Sequence, residues 1–289
     1  MNGFVGDQRS GDRAYRARRT LPLRVEAVRQ LRRRRTWITF AVLLALPWVL
    51  AAAFKIGGSP SADANTPGLV SVATAGALNF TAFTLFASAG FLLVVAVALF
   101  CGDTVASEAG WASLRYLLAA PVPRTRLLRQ KLIVALAYAA LAVVSLPTMA
   151  MITGIYVFGW ARLRVPGGDA ALPNGTALTR MLIIVGYILA SELLVAALAF
   201  LLSVATDSPL GAVGGAVGLV ILSNIIDAVT ALGHWREFLP THWMFAWTDA
   251  LQPHLEWTGM LKGASLSASY ATVFIALAVR RFRNKDVVS

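Results

Sequence analysis

The sequence predicts an all-α protein that crosses a membrane several times, on the basis of its composition, its hydropathy and the length of its apolar runs. Of its 289 residues, 57% are hydrophobic and only 14% are charged, and the mean hydropathy is +0.67. Soluble domains contain about 25% charged residues, so a soluble fold of this length would have too few charges to cover its surface. The single cysteine, Cys101, also excludes a disulfide framework and a cysteine-based zinc site.

Six apolar runs are long enough, or nearly so, to cross a bilayer. A helix needs about 20 apolar residues to span roughly 30 Å of hydrocarbon. The runs lack the alternation of apolar and polar residues that is typical of strands, so we predict helices. Pro47 lies within the first run, and Pro147 predicts a kink or tilt in the third. The six predicted spans cover residues 37–54, 80–101, 132–158, 179–205, 210–232 and 257–279.

The positive charge of the chain indicates its orientation. The formal net charge is +12, and most of the 26 Lys and Arg residues fall in segments 1–36, 102–131 and 280–289. These segments lie on one side of the membrane if the N-terminus is inside. By the positive-inside rule we expect both termini in the cytoplasm. Because this basic surface faces a bilayer, we expect membrane lipids and no nucleic acid among the partners.

The first 36 residues form a basic cytoplasmic segment in this topology, and its second half has the pattern of an amphipathic helix. Apolar residues recur at helical spacing at Leu21, Val25, Val28 and Leu31, and arginines occupy much of the remaining surface. We expect this helix to lie on the inner leaflet with its arginines toward lipid phosphates. The alternative is a plain basic flank of the first span.

The segment between the second and third spans carries the most informative pattern. It begins with an acid and a glycine, continues with leucines at helical spacing, and is interrupted by Pro121 and Pro123. An apolar stripe flanked by basic residues follows. We expect a short helix presented to the cytoplasm, which suits docking to another protein. The residues of the pattern are Glu108, Gly110, Leu114, Arg115, Leu117, Leu118, Pro121, Val122, Arg124, Leu127, Leu128 and Lys131.

This pattern resembles the signature of type-2 ABC exporter permeases, the transmembrane subunits of bacterial ABC transporters. Ser113 and Pro123 stand where Thr and Ser are commoner, which is a mild departure. The six spans, the basic helix before the first span and the basic tail are also similar to that family. The resemblance implies that the segment contains a coupling helix, which docks on an ATP-binding subunit. The residues that it assigns to this coupling are Glu108, Gly110, Leu114, Arg115, Leu117, Leu118 and Arg124.

The resemblance further implies a working unit of two permease halves, identical or different, and two ATP-binding subunits that hold ATP and Mg. The chain has no Gly-x-x-x-x-Gly-Lys-Ser/Thr motif, which is the phosphate-binding loop of such ATPases. We therefore expect a permease that is not itself an enzyme and binds no cofactor. Its complex is expected to export an amphipathic drug, peptide or lipid across the bacterial plasma membrane, as in multidrug efflux.

Two acidic residues fall inside predicted spans, where a charge costs about 2.5–3.5 kcal/mol on insertion scales. Glu192 lies near the middle of the fourth span and Asp227 in the outer third of the fifth, where Ser223, Asn224 and Asp227 share one helical face. These four residues are candidates for the substrate path. The alternative is local hydrogen bonding, with Asp227 reaching the outer surface. If Glu192 and Asp227 instead bind protons, the chain is a proton-coupled secondary transporter.

The fifth span also contains two overlapping Gly-x-x-x-Gly spacings, which let helices approach closely. They are Gly211 with Gly215 and Gly214 with Gly218. By the resemblance, this span lies near the central cavity and the seam between two permease halves. Packing within one chain is the alternative.

The segment between the fifth and sixth spans mixes tryptophans, prolines and three histidines. The tryptophans favour an interfacial cap, and the resemblance to type-2 ABC permeases implies short outer helices here. The chain has no His-Glu-x-x-His motif, so we expect no metal site. An intramembrane enzyme is disfavoured because all three histidines lie in this segment rather than in a span.

Overall fold

The computed structural model describes residues 23–58, 68–110, 124–168 and 170–284. Six of its helices are long and apolar enough to cross a membrane, which confirms the prediction of an all-α, multi-pass membrane protein. These six candidate spans cover Arg34–Gly57, Ala77–Glu108, Thr125–Phe158, Asn174–Ala205, Pro209–Asp227 and Thr258–Arg283.

The second span is built from three consecutive helical segments, and the other five spans are single α-helices. A π-helix, Ala89–Leu93, joins α4 to α5, and two 3-10 helices, Thr230–Phe238 and Ala246–Leu251, lie between α8 and α9. In chain order the α-helices are α1 (Leu23–Leu31), α2 (Arg34–Gly57), α3 (Gly68–Ser71), α4 (Ala77–Ser88), α5 (Val94–Gly110), α6 (Arg124–Phe158), α7 (Asn174–Ala205), α8 (Pro209–Asp227) and α9 (Thr258–Arg283).

Most helices extend beyond the apolar runs, because polar and basic residues continue them past the hydrophobic stretch. α6 begins at Arg124, well before residue 132, and Pro147 lies within it. The fifth span is an exception, since it ends at Asp227 rather than at Leu232. The chain leaves the helix there because Val229 adopts an extended conformation, with φ −80° and ψ 93°.

α5 and α7 form the centre of the bundle. α5 packs against α6, α7 and α8, whereas α2 packs against α6 and α9 against α7. Hydrogen bonds support the apolar contact between α5 and α7: Ser203 Oγ accepts from the backbone N–H groups of Val105 at 2.9 Å and Ala106 at 3.0 Å. The two central helices are therefore joined near the end of the bundle where α1 lies.

A small hairpin follows α6 at the opposite end of the bundle. Its two-residue strands, β1 (Leu163–Arg164) and β2 (Ala171–Leu172), pair antiparallel. The side chain of Asn79 in α4 binds β1 as a third strand would. Its Nδ2 donates to the Arg164 carbonyl at 2.8 Å, and its Oδ1 accepts from the Arg164 N–H at 3.0 Å. Asn79 is thus committed to the fold of this end.

The segment between α8 and α9, here called the outer cap, is held by α7. The guanidinium of Arg180 donates to the carbonyl oxygens of Ala250, at 3.1 Å, and Pro253, at 2.9 Å, and also to that of Gln252. Tyr187 Oη donates to the Trp243 carbonyl at 2.5 Å. These bonds account for backbone acceptors that the irregular cap would otherwise leave unpaired.

Candidate functional site

The segment predicted to couple the chain to an ATPase lies largely outside the described residues. Leu114, Arg115, Leu117 and Leu118 all fall in residues 111–123, which the structure does not describe. The structure does show what holds the two ends of this segment. Gly110 is the last residue of α5 and Arg124 the first of α6, and the neighbouring turns carry a set of paired charges. We call this set the charge cluster: Glu26, Arg29, Arg33, Arg35, Asp103, Glu108 and Lys131.

Glu108 and Lys131 connect the ends of the segment directly. Lys131 Nζ in α6 donates to Glu108 Oε1 in α5 at 2.6 Å. Both residues are only 2% exposed. Breaking a buried ion pair by removing one partner costs about 3–5 kcal/mol, because the remaining charge is left without compensation. The pair therefore fixes the distance between α5 and α6 at the base of the segment.

The short helix α1 binds the same pair. Lys131 Nζ also donates to Glu26 Oε1 at 3.0 Å, and Arg29 Nη1 donates to Glu108 Oε1 at 2.6 Å. Two further bonds attach the helix through its backbone and an amide. Tyr138 Oη in α6 donates to the Ala27 carbonyl at 2.8 Å, and Gln30 Nε2 donates to the Phe100 carbonyl at 3.4 Å. Helix α1 is thus bound to both α5 and α6.

A second carboxylate in α5 binds the start of the first span. Asp103 is 1% exposed and forms ion pairs with Arg33 and Arg35. Arg33 Nη1 also donates to Ser107 Oγ, one turn further along α5, at 3.2 Å. Burial lowers the pKa of Arg33 from its ordinary value, and the nearby Arg29 lowers it further, while Glu108 and Glu26 oppose this shift. The carboxylates thus help to keep a crowded guanidinium charged.

The structure adds contacts of this segment that the sequence did not predict. Two of the arginines expected to face lipid phosphates, Arg29 and Arg33, bind carboxylates of α5. The polar residues Glu26 and Gln30 are buried against the bundle, and the apolar residues of the helix are exposed. Periodicity shows which residues share a face of a helix, but it does not show whether the bundle takes the polar or the apolar face.

Glu108, which the sequence assigned to coupling, is buried and bound by Lys131 and Arg29. It holds the base of the segment between α5 and α6. Sequence reasoning named Glu108 and Lys131, but it missed Glu26, Asp103, Arg33 and Arg35 as members of the same cluster. The available signal was their position: Arg33, Arg35 and Asp103 lie within about a turn of the end of an apolar run, and Glu26 lies in the amphipathic helix that precedes the first run.

Glu192 lies in a different kind of environment. It is 4% exposed and lines a cavity of about 310 Å³ between α5, α6 and α7. The other lining residues that the structure describes are all Val, Leu or Ala. Within the described part of the chain, Glu192 Oε2 has no hydrogen-bond partner. A buried carboxylate oxygen without a partner is costly, and it leaves an acceptor available to a ligand in the cavity.

The polar face of α8 is bound to the outer cap. Asp227 Oδ1 lies 2.6 Å from His242 Nδ1 and accepts from Arg236 Nε at 3.3 Å. Ser223 Oγ lies 2.9 Å from Thr241 Oγ1. Asn224 is partly exposed beside them. These contacts are the local bonding that the sequence left open for Asp227, and they do not bring this face to Glu192.

The structure separates the two glycine pairs of α8. A Cβ atom at Gly215 would lie 3.1 Å from Leu202 Cδ1 of α7, so this position is in close contact within the chain. At Gly211 it would approach only Ser208 of the same helix start. Gly214 and Gly218 have no atom within 4 Å of a Cβ among the described residues, so the second pair faces open space. The pair Gly214 and Gly218 therefore provides a narrow, uncovered strip.

Taken together, six candidate spans, a charge cluster at one end and a buried carboxylate in an apolar cavity define a multi-pass α-helical membrane protein. A family model matches residues 51–288, and the chain belongs to this family, which is described as "Protein of unknown function (DUF2705)". The match includes Asp103, Glu108, Lys131 and Glu192, whereas α1 precedes it. No curated protein matches the chain.

Proposed function

We propose that the chain is the transmembrane subunit of an ATP-driven exporter of the type-2 ABC class, located in a bacterial plasma membrane with both termini in the cytoplasm. The observation that carries the proposal is the charge cluster. The pattern from Glu108 to Lys131 resembles the coupling signature of these permeases, and its two ends are joined by a buried ion pair of 2.6 Å. A segment anchored in this way is suited to receive force from a docked protein.

A force on the docked segment would be transmitted to α5, α6 and α1 together. Glu108 belongs to α5, Lys131 to α6, and both are bound to α1 through Glu26 and Arg29. When two ATP-binding subunits close on ATP, a docked segment would move with them. Because the ion pairs hold its ends together, α5 and α6 would follow as one unit and not separately. The π-helix Ala89–Leu93 lies in the same span, and such segments interrupt the regular register of a helix.

The cavity at Glu192 is the part of the chain best suited to contact cargo. It lies between the two helices that would move, α5 and α6, and the central helix α7. An apolar wall with one free carboxylate oxygen suits an amphipathic molecule that carries a hydrogen-bond donor or a positive charge. The seam to a second permease half is proposed along Gly214 and Gly218, whose strip is uncovered within the described chain.

The alternative of a proton-coupled secondary transporter gains no specific support. It requires both Glu192 and Asp227 to bind and release protons. Asp227 Oδ1 is occupied by Arg236 and His242 in the outer cap, whereas Glu192 Oε2 has no hydrogen-bond partner among the described residues. We therefore retain the ATP-driven exporter as the proposed function.

Co-purification with an ATP-binding subunit tests the proposal. The chain is co-expressed with an ATP-binding subunit of the same organism, and the complex is reconstituted in liposomes with a lipophilic dye. Leu117→Asp is expected to release the ATP-binding subunit and abolish ATP-dependent efflux, because it places a charge on the predicted docking surface. Glu108→Arg is a poorer test, since it also disrupts the buried cluster.

Leu232→Asp is the matched control, because it makes the same change on an exposed residue of the outer cap. It is expected to keep both the ATP-binding subunit and the efflux. The proposal fails if Leu117→Asp leaves the complex and its activity intact. It also fails if the chain purifies alone and transports in response to an ion gradient.

A further inference from the structure

A concave site beside the charge cluster is lined mainly by arginines. A cavity of about 750 Å³ opens between the start of the first span and the end of α5. Five arginines of residues 29–35 line it, together with the carboxylates of Asp103 and Glu108. Five guanidinium groups face two carboxylates, so the lining carries an excess of positive charge.

The excess is concentrated on two side chains. Asp103 is paired with Arg33 and Arg35, and Glu108 with Arg29. Arg32 and Arg34 make no ion pair with an acid in residues 23–58, 68–110, 124–168 and 170–284. Both side chains are exposed. The carboxylates therefore hold three arginines in place, while Arg32 and Arg34 remain available to an anion from outside the described chain.

The apolar surroundings indicate the source of that anion. Leu23, Val25, Val28 and Leu31 of α1 are all at least 40% exposed, so the helix presents an apolar face to its environment. On the first turn of α2, Trp37 is 63% exposed. An amphipathic helix of this kind lies at the membrane interface, and tryptophan is enriched at the level of the lipid headgroups. The arginine-lined cavity is therefore at headgroup level.

We propose that this cavity binds the phosphate headgroup of an anionic phospholipid, with Arg32 and Arg34 as the principal contacts. A guanidinium donates two parallel hydrogen bonds to a phosphate, a geometry that an ammonium group does not offer. Basic pockets at the ends of membrane spans recognise anionic headgroups in this way. The exposed apolar residues of α1 provide a surface along which the acyl chains lie.

Occupancy of the site would act on the charge cluster. Arg29 lines the cavity and also donates to Glu108. A phosphate bound beside Arg29 neutralises part of the positive charge that surrounds Glu108 and Asp103. The lipid phosphate would thus offset the excess of arginine charge at the base of the segment between α5 and α6. This inference does not depend on the proposed transport activity, because it concerns binding alone.

The test measures lipid binding to the purified full-length chain in a nonionic detergent. Native mass spectrometry counts bound lipid during titration with phosphatidylglycerol, phosphatidylcholine or free inorganic phosphate. We expect phosphatidylglycerol to bind tightly and the other two probes weakly. The double variant Arg32→Gln, Arg34→Gln is expected to lower the affinity for phosphatidylglycerol by about tenfold or more, since each basic residue near a membrane surface contributes substantially.

The matched control is Arg24→Gln, Arg129→Gln, which removes the same charge from two exposed arginines at the same end of the bundle but outside the cavity. It is expected to change the affinity less than about twofold. An equal loss in both double variants would overturn the proposal, because binding would then follow overall charge. Equal binding of phosphatidylcholine would exclude an anion site, and equal binding of free phosphate would exclude a lipid as its source. A size-exclusion profile identical to wild type ensures that the variants are folded.

Discussion

The charge cluster and the Glu192 cavity both bury carboxylates, but they satisfy them differently. Glu108 and Asp103 each have a carboxylate oxygen bound by basic side chains, whereas the carboxyl group of Glu192 has no ion pair among the described residues and its Oε2 has no hydrogen-bond partner there. A buried carboxylate that is ion-paired stabilises the helices that carry the two partners. A buried acid without an ion pair lowers the stability of the fold, but its carboxyl oxygen remains able to accept a hydrogen bond from a ligand. The first region is thus expected to maintain the structure and the second to bind something that the chain does not supply.

Removing the buried lysine of the cluster is the most severe way to test this contrast. Lys131→Met leaves Glu108 and Glu26 buried with only Arg29 to pair with both, and we expect a loss in the free energy of unfolding that approaches the cost of breaking a buried ion pair, about 3–5 kcal/mol. The measurement is denaturant-induced unfolding in detergent, followed by circular dichroism. Loss of expression would agree with the same outcome.

Two further variants keep that result interpretable. Lys262→Met breaks the exposed pair with Glu237, whose atoms lie 3.1 Å apart, and should cost only about 0–1 kcal/mol. The double variant Lys131→Met, Glu108→Gln removes opposite charges together and is expected to recover part of the loss. A cost for Lys131→Met similar to that for Lys262→Met would show that the cluster does not hold α5 to α6.

The opposite result is expected at Glu192. Since Glu192 Oε2 loses no partner, Glu192→Gln should leave the free energy of unfolding within about 1 kcal/mol of wild type. If cargo binds the carboxylate, ATP-dependent efflux by the reconstituted complex should fall about tenfold, which corresponds to about 1.4 kcal/mol. Asp227→Asn is the comparison variant, because the Asp227 carboxylate is already bound by Arg236 and His242 of the outer cap. A large loss of stability in Glu192→Gln would show that the Glu192 carboxylate has a structural partner. The charge cluster and the Glu192 cavity would then not differ in the way described.

The glycines of α8 offer a similar comparison, because Gly215 packs closely against α7 and Gly214 has no neighbour within 4 Å among the described residues. Gly215→Val places a Cβ atom that carries two methyl groups 3.1 Å from Leu202 Cδ1, and overpacking of this kind costs about 1–3 kcal/mol. Gly214→Val enters open space within the described chain and should leave the monomer as stable as wild type. If the strip is the seam between two halves, Gly214→Val should lower the dimer fraction measured by light scattering. An unchanged dimer would place the seam elsewhere.

The fold class could be predicted from the sequence because it depends on properties that add up along the chain. Apolar runs of about 20 residues in water-free surroundings leave few structures other than helices. The π-helix Ala89–Leu93 and the hairpin after α6 could not be predicted in this way. The two-residue strands of the hairpin have almost no pattern of their own and depend on Asn79, which is distant in sequence.

The site was predictable only in part, and the reason is pairing. The sequence singled out Glu192 and Asp227 as charges within apolar runs, and Glu108 and Lys131 through the resemblance of their pattern to a known signature. It could not assign their partners, which are separated by up to about a hundred residues. Lys131, for example, binds Glu26 across 105 positions. Whether a carboxylate supports the fold or awaits a ligand is decided by those partners.

Arg180 links the outer cap to the middle of the membrane. Its guanidinium holds the carbonyls of Ala250, Gln252 and Pro253, and it lies on the same unbroken helix as Glu192. Twelve residues separate the two side chains, which is about 18 Å along a helix axis. Tilting of the cap would therefore rotate or shift the wall that carries the free carboxylate. A movement of the cap would thus reach the Glu192 cavity through a single continuous helix.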